Sequence, residues 1–215
     1  MIKGVVFDLD GTLLNTIVDL KNSVNSTYES FGYDTRKTDN ETMAMVGHGM
    51  KNLIEQCFPL KDEEFIKEAL KRFLKFYDEQ YTRNTKPYKG IVELVDELNK
   101  KGIKIGVNSN KNDEYTQNLI RLNFKNISEK FVSGIKPGDK TKPDPTNVTK
   151  LVEKMGLNKN EVLYVGDSPT DAKTAQNAGI EFVSVTWGFR TKEKLIAAGA
   201  TKIIDTPEDL IKYCN

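Results

Sequence analysis

The chain of 215 residues carries 32 Lys and Arg against 31 Asp and Glu, which leaves a net charge of +1 at neutral pH. This balance excludes the strong basic field by which many proteins attract nucleic acid, so we expect no nucleic-acid partner. Hydrophobic residues make up 38% of the chain, and no apolar run approaches the about 18 residues of a membrane span. We therefore expect a globular protein that binds no membrane and, because the N-terminal residues form no secretory signal, a cytoplasmic one.

The first half of the chain reads as one strand followed by helices. Residues 2–7 form a β-favouring apolar run typical of a buried parallel strand. Thr16, with Asp19 three residues later, predicts a capping box at the start of a helix, and Gly32 is a suitable end for it. Apolar side chains at spacings of three and four predict a second, long helix over 62–82.

After Pro87 strands and helices alternate. The predicted elements are a helix from Ile91 that ends at Gly102, a strand over 103–107, a helix over 113–122, a strand over 130–133, a helix over 145–155, a strand over 162–165, a helix over 169–178 and a strand over 181–185. This alternation predicts an α/β fold, a Rossmann-like parallel sheet with helices on both faces.

The two patterns divide the chain into two expected domains. Residues 1–14 and 86–215 would form the α/β core, and residues 15–85 an inserted helical-bundle cap. Such an insertion could move against the core around 14–17 and 83–88, and clefts between bodies of this kind commonly hold substrates.

Polar residues follow several of the predicted strands, where open α/β sheets bind their ligands. They are Asp8, Asp10, Ser109, Asn110, Lys111, Lys142, Asp167 and Asp171. Converging carboxylates repel one another unless a cation intervenes, and oxygen ligands favour Mg²⁺. The natural partner of such a metal, a lysine and a hydroxyl is a phosphoryl group. A single histidine and two distant cysteines give little support to zinc clusters or histidine-based triads.

These residues occur in an order that resembles a known family. Asp8-Leu9-Asp10-Gly11-Thr12-Leu13, then Ser109, Lys142 and the segment from Gly166-Asp167 to Asp171, resemble the motifs of the haloacid dehalogenase superfamily of phosphatases. The resemblance covers essentially the whole chain and implies a parallel-sheet core with a cap. It also implies that Asp8 is the nucleophile that forms an aspartyl-phosphate, and that Asp10 is the general acid and base.

The same resemblance implies how the phosphate and the metal are held. Ser109 and Lys142 would hold the phosphoryl oxygens, and Asn110 would add a backbone N–H. Mg²⁺ would be bound by the carboxylates of Asp8 and Asp167 and by the backbone carbonyl of Asp10. Asp171 would support this site through hydrogen bonds rather than bind the metal directly.

Several residues allow other interpretations. Asp171 follows Ser168 at capping-box spacing, and Ser109 could simply cap the next helix. Lys136 also precedes a proline, but Lys142, which opens a helix about 20 residues before the next strand, fits the family pattern better. Asn15 replaces the aspartate usual in the family, which questions the hydrogen bonding near the hinge but not the chemistry.

The cap suggests a substrate within this family. Val46-Gly47-His48-Gly49 with Leu53, and later Thr186-Trp187-Gly188-Phe189, resemble phosphoglycolate phosphatases. His48 could face an anionic substrate, although the two glycines could equally serve only a tight entry to a helix. The partner is then a small phosphorylated metabolite, and the sequence does not fix the oligomeric state.

Other activities remain open. A β-phosphoglucomutase-like phosphomutase, a pyrophosphatase, and a sugar or nucleotide phosphatase belong to the same subgroup. A dehalogenase would need neither Asp10 nor a metal. A phospho-accepting signalling or binding module of another class gathers similar groups around Mg²⁺, but its accepting Asp lies on a later strand and it has no helical insertion after its first strand.

Overall fold

The computed structural model describes residues 1–214. Its strands are β1 (Gly4–Phe7), β2 (Leu14–Asn15), β3 (Lys86–Pro87), β4 (Lys104–Asn112), β5 (Val132–Ile135), β6 (Val162–Gly166), β7 (Glu181–Val185) and β8 (Ile203–Ile204). Its α-helices are α1 (Ile17–Ser30), α2 (Asp39–Met45), α3 (Met50–Cys57), α4 (Glu63–Gln80), α5 (Ile91–Lys100), α6 (Asp113–Asn123), α7 (Thr146–Met155), α8 (Pro169–Ala178) and α9 (Lys192–Ala197).

Six of the strands form one parallel sheet in the order β5-β4-β1-β6-β7-β8. The central strand β1 places Val5 opposite Ile105 on one side and Leu163 on the other. Because all neighbours of β1 run in the same direction, their carboxyl ends meet at one edge of the sheet. The predicted α/β fold is confirmed.

Alternate residues of the central strands face opposite layers of helices. Val5 and Phe7 pack in one apolar cluster with α5 and α6, whereas Val6 packs in another with α7 and α8. This alternation follows from the two-residue period of a strand, and it explains why the strands are apolar along their whole length.

The helices α1 to α4 have an apolar core of their own, and we call them the helical unit. Their buried side chains include Leu20, Ile54, Phe73 and Tyr77. The unit leaves the sheet through β2 and returns through β3, which pair antiparallel. The two connections therefore lie side by side.

The start of α1 differs from the predicted capping box. The Thr16 side chain caps nothing, and its hydroxyl instead donates to Oδ1 of Asp10 at 2.6 Å. Asp19 is fully buried and accepts hydrogen bonds from the backbone and side chains of Asn84 and Thr85. The prediction was wrong because both side chains find partners outside the helix, one at the site and one in the returning chain. Asn15 keeps a local bond, since its Oδ1 accepts from the Ile17 N–H at 3.3 Å.

Within residues 1–214, the helices include none that is both long and apolar enough to span a bilayer.

Candidate active site

Asp8 and Asp10 lie in a tight turn at the carboxyl end of β1. The turn is closed by hydrogen bonds from the backbone N–H groups of Leu13 and Leu14 to the carbonyl of Leu9, both at 3.0 Å. Gly11 has a φ of +87°, and a Cβ at this position would lie 2.4 Å from Oδ2 of Asp167. Glycine is therefore required both by the backbone and by the closeness of the next acidic residue.

Lys142 joins two of the predicted acidic residues. Its buried amino group lies 2.7 Å from Oδ1 of Asp8 and 2.7 Å from Oδ1 of Asp171. Burial alone would lower the pKa of Lys142, but the charges of Asp171 and Asp8 outweigh it and raise that pKa well above its usual value. The lysine is therefore held as a cation at the base of the site.

The amide side chain of Asn110 positions the backbone of Lys142. The Lys142 N–H donates to Oδ1 of Asn110 at 2.7 Å, and Nδ2 of Asn110 donates to the Gly47 carbonyl of the segment between α2 and α3 at 2.8 Å. Asn110 thus connects the lysine to the polypeptide of the helical unit. This side-chain role was missed by the sequence, which assigns Asn110 only a backbone contact.

Three carboxylates converge beside the lysine. Asp8, Asp167 and Asp171 each offer an oxygen that lies within 4.8 Å of those of the other two. Burial, followed by repulsion from Asp171, raises the pKa of Asp167 to about 7, and burial and Asp171 also raise the pKa of Asp8 well above its usual value. Without a metal ion, Asp8 and Asp167 therefore lose their protons at higher pH than exposed aspartates do.

The loop after β7 closes around Asp167. The Phe189 N–H donates to Oδ2 of Asp167 at 2.6 Å, and the Thr12 hydroxyl donates to Oδ1 at 3.3 Å. A Cβ at Gly188 would lie 2.3 Å from Cβ of Asp167 and 2.3 Å from the Gly11 carbonyl oxygen. The predicted Trp187-Gly188-Phe189 motif therefore packs directly on the acidic cluster.

Asp171 combines the two alternatives that its sequence context left open. Its Oδ2 accepts from the N–H and hydroxyl of Ser168, which completes a capping box at the start of α8. Its Oδ1 accepts from Lys142. The capping box holds the Asp171 carboxylate in an orientation in which its other oxygen faces Lys142.

Ser109 lies at the site and does not cap the next helix. Asn112 caps α6, because its Oδ1 accepts from the Glu114 N–H at 2.9 Å. The Ser109 hydroxyl oxygen accepts from the Lys111 N–H at 3.1 Å and borders the same cleft as Asp8. Lys136, the other lysine that precedes a proline, is exposed and pairs with Asp113.

Lys111 is a functional candidate to which the sequence assigned a place near the site but no role. Its amino group lies 3.0 Å from Oδ1 of Asp10 and donates to the Tyr77 hydroxyl at 3.0 Å. Burial would lower the pKa of Lys111, but Asp10 outweighs it, so that pKa is raised. The only sequence signal was its place directly after Ser109 and Asn110, because its partners are distant in the chain.

The helical unit roofs the site. The cleft comprises about 550 Å³, including space open to solvent, and its roof is built from Leu20, Val46, Gly47, Gly49, Met50 and Leu53. Arg190, which follows Phe189, borders the cleft and donates to the carbonyls of Met43 and Val46 at the end of α2. His48 is exposed and does not border this cleft, although both neighbouring glycines do. Its contact with substrate stays a prediction.

Comparison with known proteins identifies the relationship. A model of the haloacid dehalogenase-like hydrolases matches residues 5–185. A phosphoglycolate phosphatase from Aquifex aeolicus (strain VF5) is 33% identical over 98% of this chain and 96% of its own length. A protein from Clostridium perfringens (strain 13 / Type A), named provisionally as a pyrophosphatase, is 30% identical over 98% of this chain and 96% of its own.

A solved structure agrees over the whole molecule. It is described as a predicted phosphoglycolate phosphatase from Haemophilus somnus 129pt, and it matches with a TM-score of 0.91 at 25% identity, covering 100% of this chain and 98% of its own. Because the family model and the relatives span nearly all of the sequence that forms the sheet, the turn and the acidic cluster, this chain belongs to the haloacid dehalogenase-like hydrolase family.

Proposed function

We propose that this protein is a Mg²⁺-dependent phosphatase that hydrolyses a small phosphomonoester through an aspartyl-phosphate on Asp8, with phosphoglycolate as the favoured substrate. The observation that carries this proposal is the buried amino group of Lys142, which lies 2.7 Å from both Asp8 and Asp171 beside Asp167. A nucleophile, a fixed cation and a carboxylate pair for a metal are then within reach of one phosphoryl group.

The residues present fit a divalent cation. Their oxygens are hard ligands, and burial, followed by repulsion from Asp171, raises the pKa values of Asp8 and Asp167, an unfavourable ionisation that a bound cation would offset. Asp8, Asp167 and the backbone carbonyl of Asp10 would hold Mg²⁺, while Asp171 stays bonded to Lys142 and Ser168. When bound, the ion would draw negative charge from the phosphoryl oxygens and align them for attack.

In the first step, a carboxylate oxygen of Asp8 forms a bond to phosphorus as the bond from phosphorus to the substrate oxygen breaks. Lys142 and Ser109 hold the phosphoryl oxygens, because one supplies a fixed positive charge and the other a hydroxyl donor at the same cleft. Asp10 gives its proton to the departing alkoxide, which leaves as an alcohol.

In the second step, the ionised Asp10 takes a proton from water as that water attacks phosphorus. The bond between phosphorus and Asp8 breaks, inorganic phosphate leaves, and both aspartates return to their starting states. Asp10 suits both steps because it lies two residues from Asp8 in the turn and borders the same cleft.

The roof supports a small and anionic substrate. The residues of the helical unit that border the cleft, within the part of the chain that the structure describes, are apolar or glycine and include no acidic side chain. Arg190 borders the same cleft from the core side. Phosphoglycolate carries a carboxylate that this environment does not repel, and relatives matched over more than 90% of their length are named phosphoglycolate phosphatases.

A pyrophosphatase is the second candidate, since one full-length relative carries that name. A phosphomutase would use the same aspartyl-phosphate but return the phosphoryl group to substrate. A dehalogenase would make no use of Asp10, and a signalling module would make no use of the helical roof.

The test is Mg²⁺-dependent phosphate release from phosphoglycolate, pyrophosphate, nucleoside monophosphates and sugar phosphates, with the Asp8→Asn protein as blank. Preferential release from phosphoglycolate supports the proposal in full. Preference for another phosphate ester overturns the substrate and keeps the mechanism. Release that persists in Asp8→Asn at the wild-type rate, or in excess chelator, overturns the mechanism.

A further inference from the structure

Lys111 is a buried cation that the steps above do not use. It is 4% exposed, lies at the end of β4 next to Ser109, and borders the cleft. Burial of an ammonium group carries a desolvation cost that only well-placed partners offset. Its partners are Asp10 from the core and Tyr77 from α4 of the helical unit.

We propose that Lys111, held in place by Tyr77, is a positioning residue that orients the carboxyl group of Asp10 for proton transfer. The inference rests on the proposed function, because it concerns the residue assigned there as acid and base.

The contacts distinguish the two oxygens of Asp10. Within residues 1–214, the donors to this carboxyl are the Lys111 amino group at 3.0 Å and the Thr16 hydroxyl at 2.6 Å, and both reach Oδ1. A carboxyl group anchored through one oxygen keeps the other free. Oδ2 is then the oxygen that carries the proton to the leaving group and later takes one from water.

Tyr77 fixes the lysine from the opposite side. Its hydroxyl accepts a hydrogen bond from the amino group at 3.0 Å, and its ring centroid lies 5.2 Å from Nζ. Tyr77 is fully buried and stacks on Phe73, so its ring is held by the core of the helical unit. A flexible lysine side chain thereby acquires one fixed direction.

This arrangement connects proton transfer to the seating of α4 on the sheet. Tyr115 of α6 packs edge-on against Tyr77 and bonds Asp78 through its hydroxyl, which joins the two helices. When α4 is seated, Tyr77 reaches Lys111 and Lys111 reaches Asp10. Asp10 is therefore aligned through the packing of α4 against Lys111 and α6.

The experiment compares two substrates that differ in their need for an acid. The leaving group of phosphoglycolate is a basic alkoxide, which needs the proton of Asp10. The leaving group of p-nitrophenyl phosphate is a stable phenolate, which does not. The parameter is kcat/KM, which reports steps up to the release of the leaving group. Lys111→Met should lower kcat/KM for phosphoglycolate roughly 100-fold, a typical general-acid contribution, and for p-nitrophenyl phosphate only about threefold.

Two further variants separate positioning from folding. Tyr77→Phe keeps the buried ring and should show the same selective loss at a smaller size, about tenfold. Tyr28→Phe removes a buried hydroxyl bonded to the Cys57 carbonyl within the helical unit without touching Tyr77 or Lys111, and should change both substrates equally or not at all. In an Asp10→Asn background, Lys111→Met should cost phosphoglycolate turnover little more, because the group that it positions is gone.

Equal losses on both substrates in Lys111→Met, or full additivity with Asp10→Asn, would overturn the positioning role and leave the phosphatase assignment intact. Wild-type protein that releases phosphate from no phosphomonoester would overturn the proposed function, and this inference with it. If wild-type protein prefers another alkyl phosphate, that ester replaces phosphoglycolate in the comparison.

Discussion

The amino group of Lys142 lies 2.7 Å from Oδ1 of Asp171, a residue whose other oxygen caps the start of α8. The lysine is thereby anchored to a helix end rather than to a flexible loop. Its second contact, Asp8 at 2.7 Å, is the proposed nucleophile.

Removal of Lys142 should damage both activity and stability. Lys142→Met leaves Asp8 and Asp171 buried without their cation, which costs about 3–5 kcal/mol when a buried pair loses one partner. The lost charge at the phosphoryl group should lower kcat about 10²- to 10³-fold. Urea unfolding and phosphate release measure the two effects. Lys136→Met is the matched control, because Lys136 is exposed, and equal effects of both changes would contradict the assignment.

Stabilisation by Mg²⁺ should increase with pH. The pKa of Asp167 is raised from its unfolded value of 3.8 to about 7, so the metal-free fold holds a proton that the unfolded chain releases. Its stability therefore falls as pH rises through this range, and bound Mg²⁺ offsets the loss because it requires ionised carboxylates.

The measurement is the melting temperature with Mg²⁺ and with chelator, near pH 5 and near pH 8. At a concentration of 100 times Kd, the ion contributes about 2.7 kcal/mol, or roughly 5–10 °C. A rise of equal size at both pH values would contradict the metal cluster. Asp167→Asn should remove most of the pH-dependent part.

Gly188→Ala should disable the site through sterics alone. A methyl group there would lie 2.3 Å from Cβ of Asp167 and 2.3 Å from the Gly11 carbonyl oxygen, so Asp167 must move. We expect the Mg²⁺ concentration that gives half-maximal activity to rise at least tenfold and kcat to fall, since misplacement of a catalytic group by about 1 Å can lower the rate 10²-fold. Gly102→Ala is the control: its φ of +73° strains the backbone, but no atom lies within 4 Å. Loss of activity in Gly102→Ala but not in Gly188→Ala would refute the steric explanation.

Arg190→Ala should loosen the roof. Its guanidinium donates to the carbonyls of Met43 and Val46, which the end of α2 otherwise leaves without helical partners. Without it the helical unit should be cleaved faster by protease, and KM should rise about tenfold, near 1.4 kcal/mol, with a smaller change in kcat. Lys192→Ala, which alters an exposed ion pair two residues away, should leave both measurements unchanged.

The sheet and the acidic residues could be predicted because their signals are local. Valine-rich runs mark β1 and β6, and a polar turn directly follows each of them. The catalytic and binding roles of these residues came from the motifs that resemble the family, because the spacing of the residues alone did not assign them.

Contacts between distant segments could not be predicted. Arg190 reaches Val46 across 144 positions, and Lys111 reaches Tyr77 across 34. The capping box assigned to Thr16 and Asp19 failed for the same reason at Asp19, whose carboxylate accepts from Asn84 and Thr85 across 65 and 66 positions. The short strand β8 has only two residues, which is too few for a periodic signal.

The pairing of β2 with β3 has a consequence for how such a protein can change. Leu14 pairs with Pro87 and Asn15 with Lys86, so the chain leaves the large sheet and returns to it through two adjacent segments, which form one narrow neck. A segment inserted between β2 and β3 needs only two adjacent ends. Its length does not affect the order of the parallel strands. A different roof could be grafted at this neck, and the same aspartates would then meet a new set of substrates.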